Sequence, residues 1–174
     1  VVRYVNLTEG GELDREPMRA SLGARTKIVS FAAVSNVLGS RAPVAEMTSM
    51  AKDVGALVVV DAAQSVPHDK TDVQSWGADF IAFSGHKMLG PSGVGILWGR
   101  QSILESMQPF MGGGSMIDQV TTDGFTWGEL PARFEAGTPP IVEAIGLGSA
   151  IEYLETIDVA QVDEHEQVLV RRAY

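Results

Sequence analysis

The hydrophobic pattern along the chain changes period several times, and each change marks an element. Residues 1–6 begin Val1-Val2-Arg3-Tyr4-Val5, a β-branched and aromatic run that predicts a strand. Asp14, followed by Glu16 and Pro17, predicts the cap and first turn of a short helix reaching about Leu22. Residues 27–33 return to a strand pattern. Between 43 and 54, apolar residues fall at Val44, Met47, Met50, Ala51 and Val54, the spacing of one helix face, and Gly55 stands where a helix end favours glycine. Ala56-Leu57-Val58-Val59-Val60 is apolar throughout, as in a parallel strand buried on both faces, and it ends on Asp61.

Residues 80–83 form a third apolar run, followed by the turn Ser84-Gly85-His86-Lys87-Met88-Leu89-Gly90-Pro91-Ser92-Gly93 and a further strand over 94–98. A short helix is predicted over 101–108. A mobile glycine loop is predicted over 111–117, and the pattern stays irregular as far as two prolines at 139 and 140. Residues 141–157 and 159–174 predict two more helices, the first lightly interrupted by Gly146 and Gly148. Apolar strands alternating with amphipathic helices predict an α/β fold with a mostly parallel, mixed sheet flanked by helices. There is no internal repeat, low-complexity tract or linker.

Composition narrows the function. With 174 residues and 45% hydrophobic side chains, the chain can bury the core of one domain. A net charge of −9 opposes a phosphate backbone, so no nucleic-acid partner is expected. No apolar run is long enough to span a membrane and the first residues lack a signal-peptide pattern, so a cytoplasmic location is expected. The absence of cysteine removes thiolate metal sites and thiol nucleophiles from these residues, and no metal site is expected. The start without methionine and the end within a helical pattern suggest a piece of a longer enzyme.

Candidate chemistry collects where the strands end. In an open α/β sheet, ligands sit beyond the carboxyl ends of the strands, and Asn36, Asp61, Gln64, Ser84, His86 and Lys87 all follow predicted strands there. Lys87, shielded by Phe83, Met88 and Leu89, would lose hydration, which favours a neutral, nucleophilic amine. The plain alternatives are a solvated loop lysine, a turn asparagine at Asn36 and a turn-capping carboxylate at Asp61. Gly137-Thr138, before the two prolines, presents a hydroxyl and a backbone N–H at the start of a helix, where an anion binds well. Pyridoxal phosphate asks for this set: a lysine for its aldehyde, a carboxylate for its ring nitrogen, and hydroxyl, imidazole and N–H groups for its phosphate.

Five segments in order carry a resemblance that covers nearly the whole chain. They are Val34-Ser35-Asn36-Val37-Leu38-Gly39, Val60-Asp61-Ala62-Ala63-Gln64-Ser65-Val66-Pro67-His68, Phe83-Ser84-Gly85-His86-Lys87-Met88-Leu89-Gly90-Pro91-Ser92-Gly93, Gly112-Gly113-Gly114-Ser115-Met116-Ile117 and Arg133-Phe134-Glu135-Ala136-Gly137-Thr138-Pro139. The chain resembles the class V aminotransferase-like, fold-type I pyridoxal-phosphate enzymes, and within them the cysteine desulfurases of the SufS type. The resemblance implies that residues 1–157 are part of the large cofactor-binding domain of a fold-type I transferase, and that 158–174 begin a helix leading to a small C-terminal domain. It implies that Lys87 holds the cofactor's aldehyde and acts as the base, and that Asp61 pairs with the ring nitrogen. Gln64 would contact the ring oxygen, Ser84 and His86 the phosphate, and Asn36 the substrate carboxylate or the ring oxygen. Thr138 would reach the phosphate of the neighbouring subunit in a homodimer. The implied reaction takes sulfur from L-cysteine, leaving L-alanine, and passes it as a persulfide to an acceptor protein for iron–sulfur cluster assembly.

The chain departs from the family pattern in places. Ala33 stands where many relatives have a histidine. The ring-stacking histidine and one phosphate loop would precede Val1, while the loop cysteine and a substrate-binding arginine would follow Tyr174. These residues alone are therefore not expected to desulfurate cysteine. A transaminase, a kynureninase-like hydrolase or an epimerase would share the same floor, and a non-catalytic scaffold would have no need of the lysine. A dinucleotide site at Gly90-Pro91-Ser92-Gly93-Val94-Gly95 fails because that turn leads into a strand rather than a helix.

Overall fold

The apolar runs build one sheet. In a computed structural model that describes residues 1–173, strands β1 (Ile28–Ala32), β2 (Leu57–Asp61), β3 (Phe80–Ser84) and β4 (Gly95–Gly99) lie side by side in that order. β1, β2 and β3 run parallel and β4 antiparallel to β3. The register aligns Phe31 with Val60, Ile81 and Trp98 across the sheet, and Ala32 with Asp61 and Ala82. Helices α1 (Arg15–Ser21), α2 (Val44–Lys52), α3 (Val73–Trp76), α4 (Gln101–Ser106), α5 (Ile141–Glu155) and α6 (Val159–Ala173) complete the main elements with a hairpin of β5 (Ile117–Val120) and β6 (Phe125–Trp127).

Helix α2 shows why the core forms where it does. Val44, Met47, Met50 and Ala51 are buried, the face its spacing predicts, and they cluster with Phe31, Val58, Val60 and Ile81 of the sheet and with Met18 of α1. Gly55 takes a left-handed backbone (φ 75°) and donates to Lys52 O at 2.9 Å, closing the helix as its sequence position requires. Val58, Val60 and Ile81 are fully buried, each contributing on the order of 2 kcal/mol of transfer free energy.

Burial is one-sided, which corrects the expectation of a strand covered on both faces. Along β2, Val58 and Val60 are buried while Leu57 and Val59 are half-buried, and Ile28 and Leu97 are 62% and 64% exposed. The α1 and α2 side chains in the core cluster meet the face carrying Phe31, Val60 and Ile81, so the alternate residues, apart from the buried Phe80, keep an open face. Residues 1–6 are a second correction. They form no strand, because among the described residues no strand lies alongside to accept their ladder bonds; what remains is a bridge from Leu7 to Leu13. The β5–β6 hairpin appears where an irregular segment is expected. Helices α1, α2, α4 and α5 are shorter by one or two residues at an end than their patterns suggest, and the predicted last residue of α6, Tyr174, lies outside the described residues. Among those residues no helix is long and apolar enough to cross a membrane.

Candidate active site

Asp61, Ser84 and Lys87 share one cavity of about 370 Å³. Its floor is the open face of the sheet, since Ser30, Val59 and Ala82 also line it, and its position is the carboxyl end of the parallel strands. Asp61 is the last residue of β2 and Ser84 the last of β3, and two residues of register separate them on neighbouring strands. The period of two therefore sends both side chains to the same face. The Ala63 N–H donates to Oδ1 of Asp61 at 2.9 Å, which orients the carboxylate and leaves Oδ2 for another partner.

The turn that carries Lys87 is built by close backbone contacts. Gly85-His86-Lys87 form a single 3-10 turn, and the N–H groups of Met88 and Gly90 both donate to Gly85 O at 3.0 Å. A Cβ on Gly90 would stand 2.9 Å from Gly85 O, and one on Gly85 would stand 3.0 Å from Val94 O, so side chains at these positions would force the turn open. Leu89 adopts φ 64° to complete the loop. Behind the turn, α5 comes close because Gly146 lacks a side chain: a Cβ there would meet the Pro91 ring at 3.2 Å. Gly146 thus sits inside a continuous helix rather than breaking it.

Lys87 is exposed, contrary to the expected shielding. Of the three residues named as its cover, Met88 turns into the interior (5% exposed), Leu89 points outward (65% exposed) and Phe83 is half-buried. His86 is also exposed on the same turn and does not line the cavity.

Asn36 and Gln64 are brought together at the carboxyl ends of β1 and β2, where Nε2 of Gln64 donates to Oδ1 of Asn36. Neither lines the cavity. Thr138 is exposed and does not line it, and helix α5 begins at Ile141 with Pro140 at its cap, so Thr138 lies in the turn before the helix. The Gly137 N–H binds Gly114 O at 2.9 Å, which ties the glycine loop to this turn. Ser30 is the cavity-lining hydroxyl that sequence reasoning passed over. Its signal was one polar residue among Ile28, Val29, Phe31 and Ala32, at an alternate position of the strand.

Residues 1–174 match the aminotransferase class-V family. A probable cysteine desulfurase of Streptomyces coelicolor is 48% identical over 172 residues, covering 99% of this chain and 41% of the relative. A cysteine desulfurase of Haloferax volcanii is 47% identical over 173 residues with the same coverage. The apo structure of the cysteine desulfurase from Thermococcus onnurineus superposes with a TM-score of 0.91 at 40% identity, covering 98% of this chain and 42% of that one. The chain thus spans about two fifths of the length of these relatives, and it belongs to the aminotransferase class-V family of fold-type I enzymes.

Proposed function

We propose that these residues form the cofactor floor of a cysteine desulfurase that converts L-cysteine to L-alanine and passes the sulfur on as a persulfide. The observation that carries this reading is the convergence of Asp61, Ser84 and Lys87 on one cavity at the carboxyl ends of adjacent strands. The family is pyridoxal-phosphate dependent, and the donor set fits that group: an amine, a carboxylate with one oxygen uncommitted, and a hydroxyl around one pocket. When bound, pyridoxal phosphate supplies an aldehyde and a protonated ring that withdraws electrons.

The chain's residues then have distinct tasks. Lys87 Nζ would hold the aldehyde and, with substrate in place, take the proton from the substrate Cα. Asp61, oriented by the Ala63 N–H, holds the proton on the ring nitrogen by opposite charge. Ser84 and His86 take the phosphate, Gln64 the ring oxygen, and Asn36 the substrate carboxylate or the ring oxygen. Thr138, which does not line its own chain's cavity, would serve the partner's phosphate in a homodimer. Sulfur release needs a thiolate to attack the substrate sulfur, and these residues contain no cysteine, so they do not supply that group. Residues 1–157 are read as part of the large domain and 158–174 as the start of the helix that leads out of it, in a cytoplasmic enzyme.

Borohydride reduction of the full-length, cofactor-loaded enzyme followed by peptide mapping tests the assignment. The pyridoxyl group should be found on Lys87, and cysteine should yield equal alanine and sulfide under a reductant. A label on Lys52 or Lys70, or turnover of cysteine to another product, would overturn it.

A further inference from the structure

We propose that Arg41 is a positioning residue that sets the Asn36–Gln64 pair, an inference that rests on the proposed role of Gln64 at the cofactor ring. Three segments converge on its guanidinium. Its own loop, closed by the Val34–Arg41 bridge and by Ser35 N–H donating to Ser40 O at 2.9 Å, carries Asn36. Nη1 pairs with Oδ2 of Asp69, at the end of the segment that begins at Asp61 and carries Gln64. Nη2 pairs with Oδ1 of Asp163 on α6 at 3.0 Å.

The two loops are thus fastened twice: at the site by the Gln64–Asn36 amide bond and behind it by Arg41 and Asp69. The second loop transmits position well, because Val66 N–H bonds to Ala62 O and the Asp69 N–H to Ser65 O at 3.0 and 2.7 Å, making the stretch a compact coil. Helix α6 braces the back through Asp163. Asn36 and Gln64 have flexible side chains, so whether they meet depends on where their loops stand. A planar guanidinium with fixed donor directions can hold two carboxylates at set angles, which an ammonium cannot. The ion pairs are half exposed and add little to global stability, so the effect of Arg41 falls on loop position.

The test is a double-mutant cycle in the full-length enzyme, stripped of cofactor and titrated with pyridoxal phosphate. Arg41→Gln should raise the dissociation constant about three- to five-fold, the scale of one misaligned hydrogen bond, and move the bound cofactor's absorption maximum in the same direction as Gln64→Ala. In the Gln64→Ala background the same substitution should change almost nothing, and Arg41→Lys should not rescue. An equal factor in both backgrounds would mean that Arg41 supports the structure at large and would overturn the inference. A silent Arg41→Gln beside a shifted Gln64→Ala would overturn it while leaving the reading of the site in place. A silent Gln64→Ala would remove Gln64 from the ring contact, and both would fall. If Arg41→Gln does not fold, Asp69→Asn and Asp163→Asn each remove one arm and are read in the same cycle.

Discussion

The two ends of the parallel sheet hold similar residues and use them in opposite ways. At the amino end of β3, Asp79 is 1% exposed and fully engaged: its Oδ2 accepts from the Val58 N–H at 2.8 Å and from Lys52, and its Oδ1 faces Nε of Arg100 at 3.4 Å. At the carboxyl end, Asp61 is exposed and holds one backbone N–H, beside an exposed Lys87. A carboxylate whose oxygens are all occupied inside the protein stabilises the fold. One that is oriented yet left with an open oxygen facing a cavity is ready for a ligand. Both ends carry an aspartate and a lysine, so residue type does not separate these roles; burial and unmet hydrogen-bonding capacity do.

The sharpest break of the comparison uses two chains. The amino end completes its hydrogen bonds within one chain, whereas the carboxyl end is proposed to borrow Thr138 from a partner. Lys87→Ala should lower turnover of the full-length enzyme by about 10³-fold, the scale of a lost acid–base group. Heterodimers of a Lys87→Ala subunit with a Thr138→Ala subunit should then contain one intact site, with about half of wild-type activity and wild-type cofactor affinity at that site, as isologous sharing requires. If Thr138 acts within its own chain, verified heterodimers would bind cofactor at their single lysine-bearing site as weakly as Thr138→Ala itself.

Next in size is an exchange of roles between the two aspartates. Asp61→Asn keeps an acceptor for the Ala63 N–H but loses the charge, so turnover should fall about 10²-fold, as when one preorganised electrostatic group is removed. Its unfolding free energy should stay within about 0.5 kcal/mol of wild type. Asp79→Ala should do the reverse, costing about 3 kcal/mol of stability by stranding the Val58 N–H and two cations while the folded fraction turns over normally. Denaturant melts beside steady-state kinetics on both variants check the crossing pattern. A stability loss in Asp61→Asn that matches its activity loss would place Asp61 with Asp79 as a structural group.

Much of this contrast was legible in the sequence, because it depends on local order. A continuous apolar run ending in Asp61, and another ending in Ser84 before a glycine-flanked lysine, place those groups at strand ends whatever surrounds them. The helix face of Val44, Met47 and Met50 was equally local. What could not be read depends on distant neighbours. Whether Val59 is covered, whether residues 1–6 find a strand to pair with, and whether Leu89 turns over Lys87 are decided by elements far away in the chain, and propensity says nothing about them. Asp79 was missed for the same reason: its partners Lys52 and Arg100 lie 27 and 21 residues away.

The smallest expected effect isolates the alternative reading of Asp61 as a mere cap. Asp72 makes the same local contact: its Oδ1 accepts from the Gln74 N–H at 2.9 Å, as Oδ1 of Asp61 accepts from the Ala63 N–H, and it also reaches the Ser75 N–H at 3.3 Å. Asp72 caps α3, whose end at Gly77 takes the left-handed backbone (φ 66°) that suits glycine. Asp72→Ala should therefore cost about 1 kcal/mol of stability, the usual value of an N-cap, and leave turnover and cofactor affinity unchanged. Asp72→Asn should be nearly neutral, since asparagine caps as well as aspartate does. If Asp61 were only a cap, Asp61→Asn would be as silent as Asp72→Asn; a turnover loss in the first with none in the second assigns the difference to the charge of Asp61 rather than to its shape.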